Sequence, residues 1–199
     1  MIVAVIPIAE LFDRTGWFMI PLGLCSVISL AVILQRLLAL RRDKILPEPV
    51  LRVLSGKGES DPVEIFQRYP STLSTIGLAA LAGRHRNREE AAAATQATAR
   101  EEVTRLQNGL TTLEVIITIA PLLGLLGTVS GLVKVFSRFG DAANTVAIAN
   151  GISEALYTTI VGIAIAVPTV VAHSFFQKKI ESLAVRMEVL LQETLQRHY

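Results

Sequence analysis

The chain has 199 residues, of which 51% are hydrophobic and only 18% charged, with a formal net charge of +2. A charged fraction below the roughly 25% of soluble domains, with apolar residues gathered in long blocks, excludes an ordinary water-soluble globular protein. The near-neutral balance leaves no basic stripe for nucleic acid, and the lone Cys25 excludes an intrachain disulfide framework.

Residues 1–16 are apolar, with Glu10, Asp13 and Arg14 near their end, a pattern that predicts a short interfacial helix. This stretch lacks a basic leader region, so a cleaved signal peptide is not expected. The first long apolar block, 17–40, carries no charge before Arg36. At 1.5 Å per residue, about 20 such residues cross a ~30 Å hydrocarbon core, which predicts a first transmembrane helix. Pro21 lies near its start, where a missing N–H is tolerated. Cys25 falls inside it as a small buried hydrophobe.

The segment 41–112 is mostly polar and reads as helical. Ser60-Asp61-Pro62 with Glu64 has the composition of a capped helix start, and Ser71 after Pro70 predicts another; Gly56 and Gly58 mark a loop. From Asn87 to Phe136 the only proline is Pro121, and 89–106 is rich in Ala, Glu, Arg and Gln, so one helix is expected to run from this region into the membrane.

Two further blocks, 113–136 and 152–176, are long enough to span, and the short segment 137–151 between them makes a transmembrane hairpin. From 152 to about 197 only Pro168 could break a helix, and beyond Lys178 the apolar residues Ile180, Leu183, Val185, Met187, Leu190, Leu191 and Leu195 predict that it runs on over 177–199 as an amphipathic stalk about 30 Å long. Arg36, Arg41, Arg42 and Lys44 follow the first span, Arg100 and Arg105 precede the second, and Lys178 and Lys179 follow the third, whereas the hairpin loop offers mainly Arg138. The positive-inside rule therefore predicts a periplasmic N-terminus and loop, with 41–112 and the C-terminus in the cytoplasm. The expected fold is an all-α integral membrane protein: three transmembrane helices with long cytoplasmic helical extensions.

Chemistry has few candidates. His85, His173 and His198 are far apart and lack metal-ligand spacing. No G-x-x-x-x-G-K-[ST] loop is present for nucleotide phosphates, and no nucleophile stands beside a base, so no enzyme and no bound cofactor are expected. What remains is the polar content of the hairpin. The second span carries A-P-L-L-G-L-L-G-T-V-S-G over 120–131, in which Gly127 and Gly131 have the spacing that lets helices approach closely in lipid. The third opens with G-I-S-E-A-L-Y-T-T-I-V-G over 151–162. Glu154 is its one acidic residue, and an ionisable group in a span costs at least ~2.5 kcal/mol unless it is satisfied, which marks it as functional. With the loop centred near residue 144, Thr128 and Thr159 lie at nearly equal distances from it, which predicts that they are level in the bilayer. Several copies would then form a polar ring at that height. Since no carboxylate sits there, a proton or cation crossing the ring needs a carrier from another subunit.

At these residues, L-E-V-I-I-T-I-A-P-L-L-G-L-L-G-T-V-S-G and G-I-S-E-A-L-Y-T-T-I-V-G-I-A-I-A-V-P, the sequence resembles the ExbB/TolQ proteins, relatives of the flagellar stator subunit MotA. The resemblance implies a homo-oligomeric ring of five copies around two single-span ExbD/TolR-like chains whose membrane aspartate carries the ion, with a TonB-like protein as a further partner. It also implies a bacterial inner-membrane location and work delivered to the outer membrane or envelope. Thr128 and Thr159 match the pore-facing threonines of that family, and Glu154 its acidic residue. Pro168 matches the proline of the family's third helix, and Gly124, Gly127, Gly131, Gly162 and Pro121 join it as the expected helix-packing and pore positions. Either H+ or Na+ is compatible with paired threonines. Two rival readings are a non-conducting scaffold that recruits partners through its cytoplasmic helices and a channel that conducts without a partner.

Overall fold

The computed structural model describes residues 16–41, 45–56, 61–82, 88–137 and 145–198. Among them the regular structure is helical: α1 (Met19–Ala39), preceded by a 3-10 turn at Gly16–Phe18, α2 (Glu48–Leu54), α3 (Pro62–Arg68), α4 (Thr72–Ala82), α5 (Arg88–Gln107), α6 (Leu110–Ser137) and α7 (Thr145–His198). Three of these segments are long and apolar enough to cross a membrane, in α1, in the α5–α6 stretch and in α7. The expected interfacial helix over 1–16 lies almost wholly outside the described residues, as does the middle of the hairpin loop.

The chain divides into two units, residues 1–33 with 111–173 and residues 34–110 with 174–199. In the first, Leu22 of α1 packs with Ile116 and Ala120 of α6, flanked by Cys25, Leu123, Val161 and Ile165. The remaining apolar surface of this unit is largely exposed in the protomer, including Leu122, Leu126, Val133, Ile160 and Val171. Such a surface suits acyl chains or another apolar helix and would be an aggregation hazard in water.

The second unit gathers the short helices. Helix α4 packs on α5, and α2 and α3 pack on each other and on α4. Capping follows the sequence here: the Asp61 side chain accepts from the Val63 N–H at 3.1 Å with Pro62 at the first helical position, and the Ser71 hydroxyl accepts from the Ser74 N–H at 3.1 Å ahead of α4. Phe66 is buried against Gly77, where a Cβ would come within 2.7 Å of its ring. A groove of about 760 Å³ lies between α5 and the end of α7, lined by residues such as Thr95, Ala99, Val103, Val185 and Met187.

Two boundaries differ from expectation. The helix expected to run unbroken from the 89–106 stretch into the second span is interrupted between Gln107 and Leu110, where Gly109 takes φ of 87°. A positive φ suits glycine and ends the helix, and the Arg36 guanidinium closes over this turn, donating to the Leu106 carbonyl at 3.3 Å. In addition, α7 starts at Thr145, inside the expected 137–151 loop, because T-V-A-I-A-N contains no glycine or proline to stop it. From there it continues for 54 residues through Pro168, joining the third span to the C-terminal helix.

Candidate functional site: a hydroxyl cluster in the hairpin

The site is built by two faces of small residues. On α6, a Cβ at Gly124 would lie 2.8 Å from the Thr158 carbonyl oxygen, one at Gly127 2.7 Å from the Thr158 hydroxyl, and one at Gly131 2.6 Å from the Ala155 Cβ. From α7, a Cβ at Gly162 would lie 2.5 Å from the Ala120 carbonyl oxygen. No side chain larger than hydrogen fits at these four positions while the helices stay this close. That is the close approach in which van der Waals contact and interhelical hydrogen bonds, not hydrophobicity, hold spans together.

Within this contact the threonines converge. The Thr128 and Thr159 hydroxyls are hydrogen-bonded directly to each other across the hairpin. Thr128 also approaches the carbonyls of Ala155 at 3.0 Å and of Gly124, in its own helix, at 3.2 Å. Thr159 reaches the Gly124 carbonyl at 3.1 Å. A third hydroxyl completes the group: Thr158, only 2% exposed, approaches the Gly124 carbonyl at 3.0 Å, the Ala155 carbonyl at 2.7 Å and the Thr128 hydroxyl at 3.4 Å. Three hydroxyl and two carbonyl oxygens therefore meet in an otherwise apolar hairpin. Thr128 and Thr159 stay half-buried, whereas Thr158 is sealed between the helices.

Thr158 has a place here that depth in the bilayer alone does not predict. Its signal lies in the third span, where Ala155, Thr158, Gly162, Ala166 and Thr169 recur every three or four residues; these five small side chains are all buried. Glu154 lies in the helical backbone of α7 one residue before Ala155; its side chain is outside the described residues. Pro121 and Pro168 lie inside α6 and α7 without breaking them. Among the described residues no three His, Cys, Asp or Glu side chains gather as a metal ion would require.

Three long apolar helices, two of them sealed by glycines around a knot of hydroxyls, define a multi-pass helical membrane protein with a polar waist. Residues 69–189 match the MotA/TolQ/ExbB proton channel family, and the chain belongs to that family. Among its relatives, a putative biopolymer transport protein ExbB-like 1 from Synechocystis is 32% identical over 166 residues, covering 78% of this chain and 65% of that protein. An ExbB-like 3 protein from the same organism is 30% identical, covering 89% and 87%. Biopolymer transport protein exbB1 of Vibrio cholerae is 34% identical, covering 81% and 75%.

Proposed function

We propose that the chain is the ring-forming subunit of an ion-driven motor in a bacterial inner membrane, coupling ion-motive force through a single-span ExbD/TolR-like partner to work on the outer membrane or envelope. The observation that carries this reading is the cluster of Thr128, Thr158 and Thr159 in an apolar hairpin. Membership of a proton channel family supports it, as do the ExbB names of the relatives. Hydroxyls grouped in a span join the helices by hydrogen bonds, and the two that keep partial access also offer oxygens to a guest that lipid would exclude.

In this reading Thr128 and Thr159, which keep partial access, face the ion as it passes the partner's carboxylate. Thr158 fixes the Gly124 carbonyl behind them. Glu154, nearer the loop, shapes the ion's approach from the periplasm, and Gly124, Gly127, Gly131 and Gly162 hold the helices at the necessary distance. The family is one of proton channels, which supports transport as the work done.

The test is ion flux into liposomes that hold this chain with and without its co-purified partner. Flux is expected only with both, and Thr159→Val is expected to abolish it while the ring still assembles. Undiminished flux in Thr159→Val overturns the role of the hydroxyls. A wild-type complex that assembles and passes no ion makes the chain a scaffold instead, a reading in which the groove between α5 and α7 serves recruitment.

A further inference from the structure

Helix α6 carries a second polar feature that the hydroxyl cluster does not use. Glu114 is an acidic residue in the fifth position of this helix, inside the expected 113–136 span. Its side chain is exposed, and it belongs to neither of the ion pairs found among the described residues, Arg52 with Glu48 and Arg105 with Glu102. Its neighbours three and four residues away on the helix surface are Thr111 and Thr118, both exposed, the half-buried Ile117 and the buried Leu110.

The register of α6 relates Glu114 to the cluster. At 3.6 residues per turn, Glu114 lies about 40° round the helix from Thr128, and at 1.5 Å per residue it stands about 21 Å farther from the hairpin loop. Thr111, Glu114, Thr118, Pro121, Leu125 and Thr128 follow one another at alternating steps of three and four, and so share one face. Thr111 and Thr118 are exposed like Glu114, and the Thr118 hydroxyl is turned back to the Glu114 carbonyl at 3.1 Å. This seam borders the face that Gly124, Gly127 and Gly131 press onto α7, and Thr128 stands at the border. Glu114 lies at the loop-distal end of the expected span, with Thr118 inside it and Thr111 just beyond it, and an ionisable residue on such a helix faces a bundle interior or a water-filled cavity rather than acyl chains.

We propose that Glu114 is the loop-distal cation acceptor of the hairpin, a role that rests on the ion-conducting reading above. A cation leaving the Thr128–Thr158–Thr159 level travels along the seam and is taken up by the Glu114 carboxylate. If the guest is a proton carried on water, the carboxylate becomes a carboxylic acid and the water is released; the proton then passes to bulk water at that end and the carboxylate is restored. If it is a metal cation, the carboxylate coordinates it and lets it go without any covalent change.

The experiment uses the full chain with its co-purified partner in liposomes, driven in separate arms by a proton gradient and a sodium gradient. E114Q is expected to lose flux to the level of Thr159→Val, and E114D to restore most of it, in whichever arm the wild type conducts. In a Cys25→Ser background, Glu114→Cys in the assembled complex is expected to react with a charged, membrane-impermeant thiol reagent. Normal flux in E114Q, or a Glu114→Cys that stays unlabelled, overturns the proposal; should E114Q fail to assemble, the labelling decides. Normal flux in Thr159→Val removes the conducting reading itself, whereas loss in Thr159→Val with normal flux in E114Q removes only the role of Glu114.

Discussion

The Thr158 hydroxyl lies 3.0 Å from the carbonyl oxygen of Gly124, crossing from the third span to the second. Gly124 is the residue whose missing side chain lets the helices come that close, since a Cβ there would lie 2.8 Å from the Thr158 carbonyl. Tight packing and polar linkage are thus one device.

Thr158→Val keeps the shape of the side chain and removes its hydroxyl, so it isolates the polar part of this contact. Interhelical hydrogen bonds in membrane proteins average about 0.6 kcal/mol and reach about 1.7, and a loss in that range is expected. Unfolding of the purified protein in detergent measures it. Thr158→Ser, which keeps the hydroxyl, is expected to recover most of the difference.

Gly162→Ala probes packing. Its Cβ would meet the Ala120 carbonyl oxygen at 2.5 Å, and a backbone atom cannot swing aside as a side-chain tip can. Overpacking of this kind costs about 1–3 kcal/mol. The expected outcome is a lower unfolding midpoint together with reduced ion flux, because the hydroxyls are held apart.

Gly23→Ala is the contrasting substitution. Nothing lies within 4 Å of a Cβ at this position in α1, and alanine is favoured over glycine in a helix interior by about 0.5–1 kcal/mol. The protomer is expected to be unharmed or slightly stabilised in detergent. A variant that is stable as a protomer and weakened as an oligomer would identify Gly23 as a contact between copies.

Gly109→Ala tests the interruption ahead of the second span. The φ of 87° disfavours any side chain, and a Cβ would lie 2.8 Å from two nitrogens of the Arg36 guanidinium. Strain of this type costs about 1–3 kcal/mol. Thermal unfolding is expected to report the loss, and Arg36→Ala in the same background is expected to relieve the steric part while also removing the hydrogen bond to the Leu106 carbonyl.

The three spans were legible because blocks of apolar residues near 20 long have few alternative explanations. The level of Thr128 with Thr159 was legible too, since antiparallel helices joined by a short loop keep count of residues on both sides. Thr158 was not, because two adjacent threonines on a helix point about 100° apart, and the argument from depth alone does not say which of them is sealed and which stays open. Its recurrence with Ala155, Gly162 and Ala166 carries that information. The turn at Asn108 and Gly109 was overlooked for a different reason: the helix-forming residues on both sides outweigh one dipeptide unless its positive φ is anticipated. Helix α2 is seven residues long and starts on Glu48-Pro49, too short for a periodicity to register.

The hydroxyl group in the hairpin has one further property. Each threonine hydroxyl has a single hydrogen to donate, while the Thr128 oxygen alone has four oxygens within bonding range. Any one arrangement leaves lone pairs over, and passing to another arrangement takes only rotation about a Cβ–Oγ1 bond. The hydroxyl hydrogens can therefore be redistributed among these oxygens while every helix stays where it is.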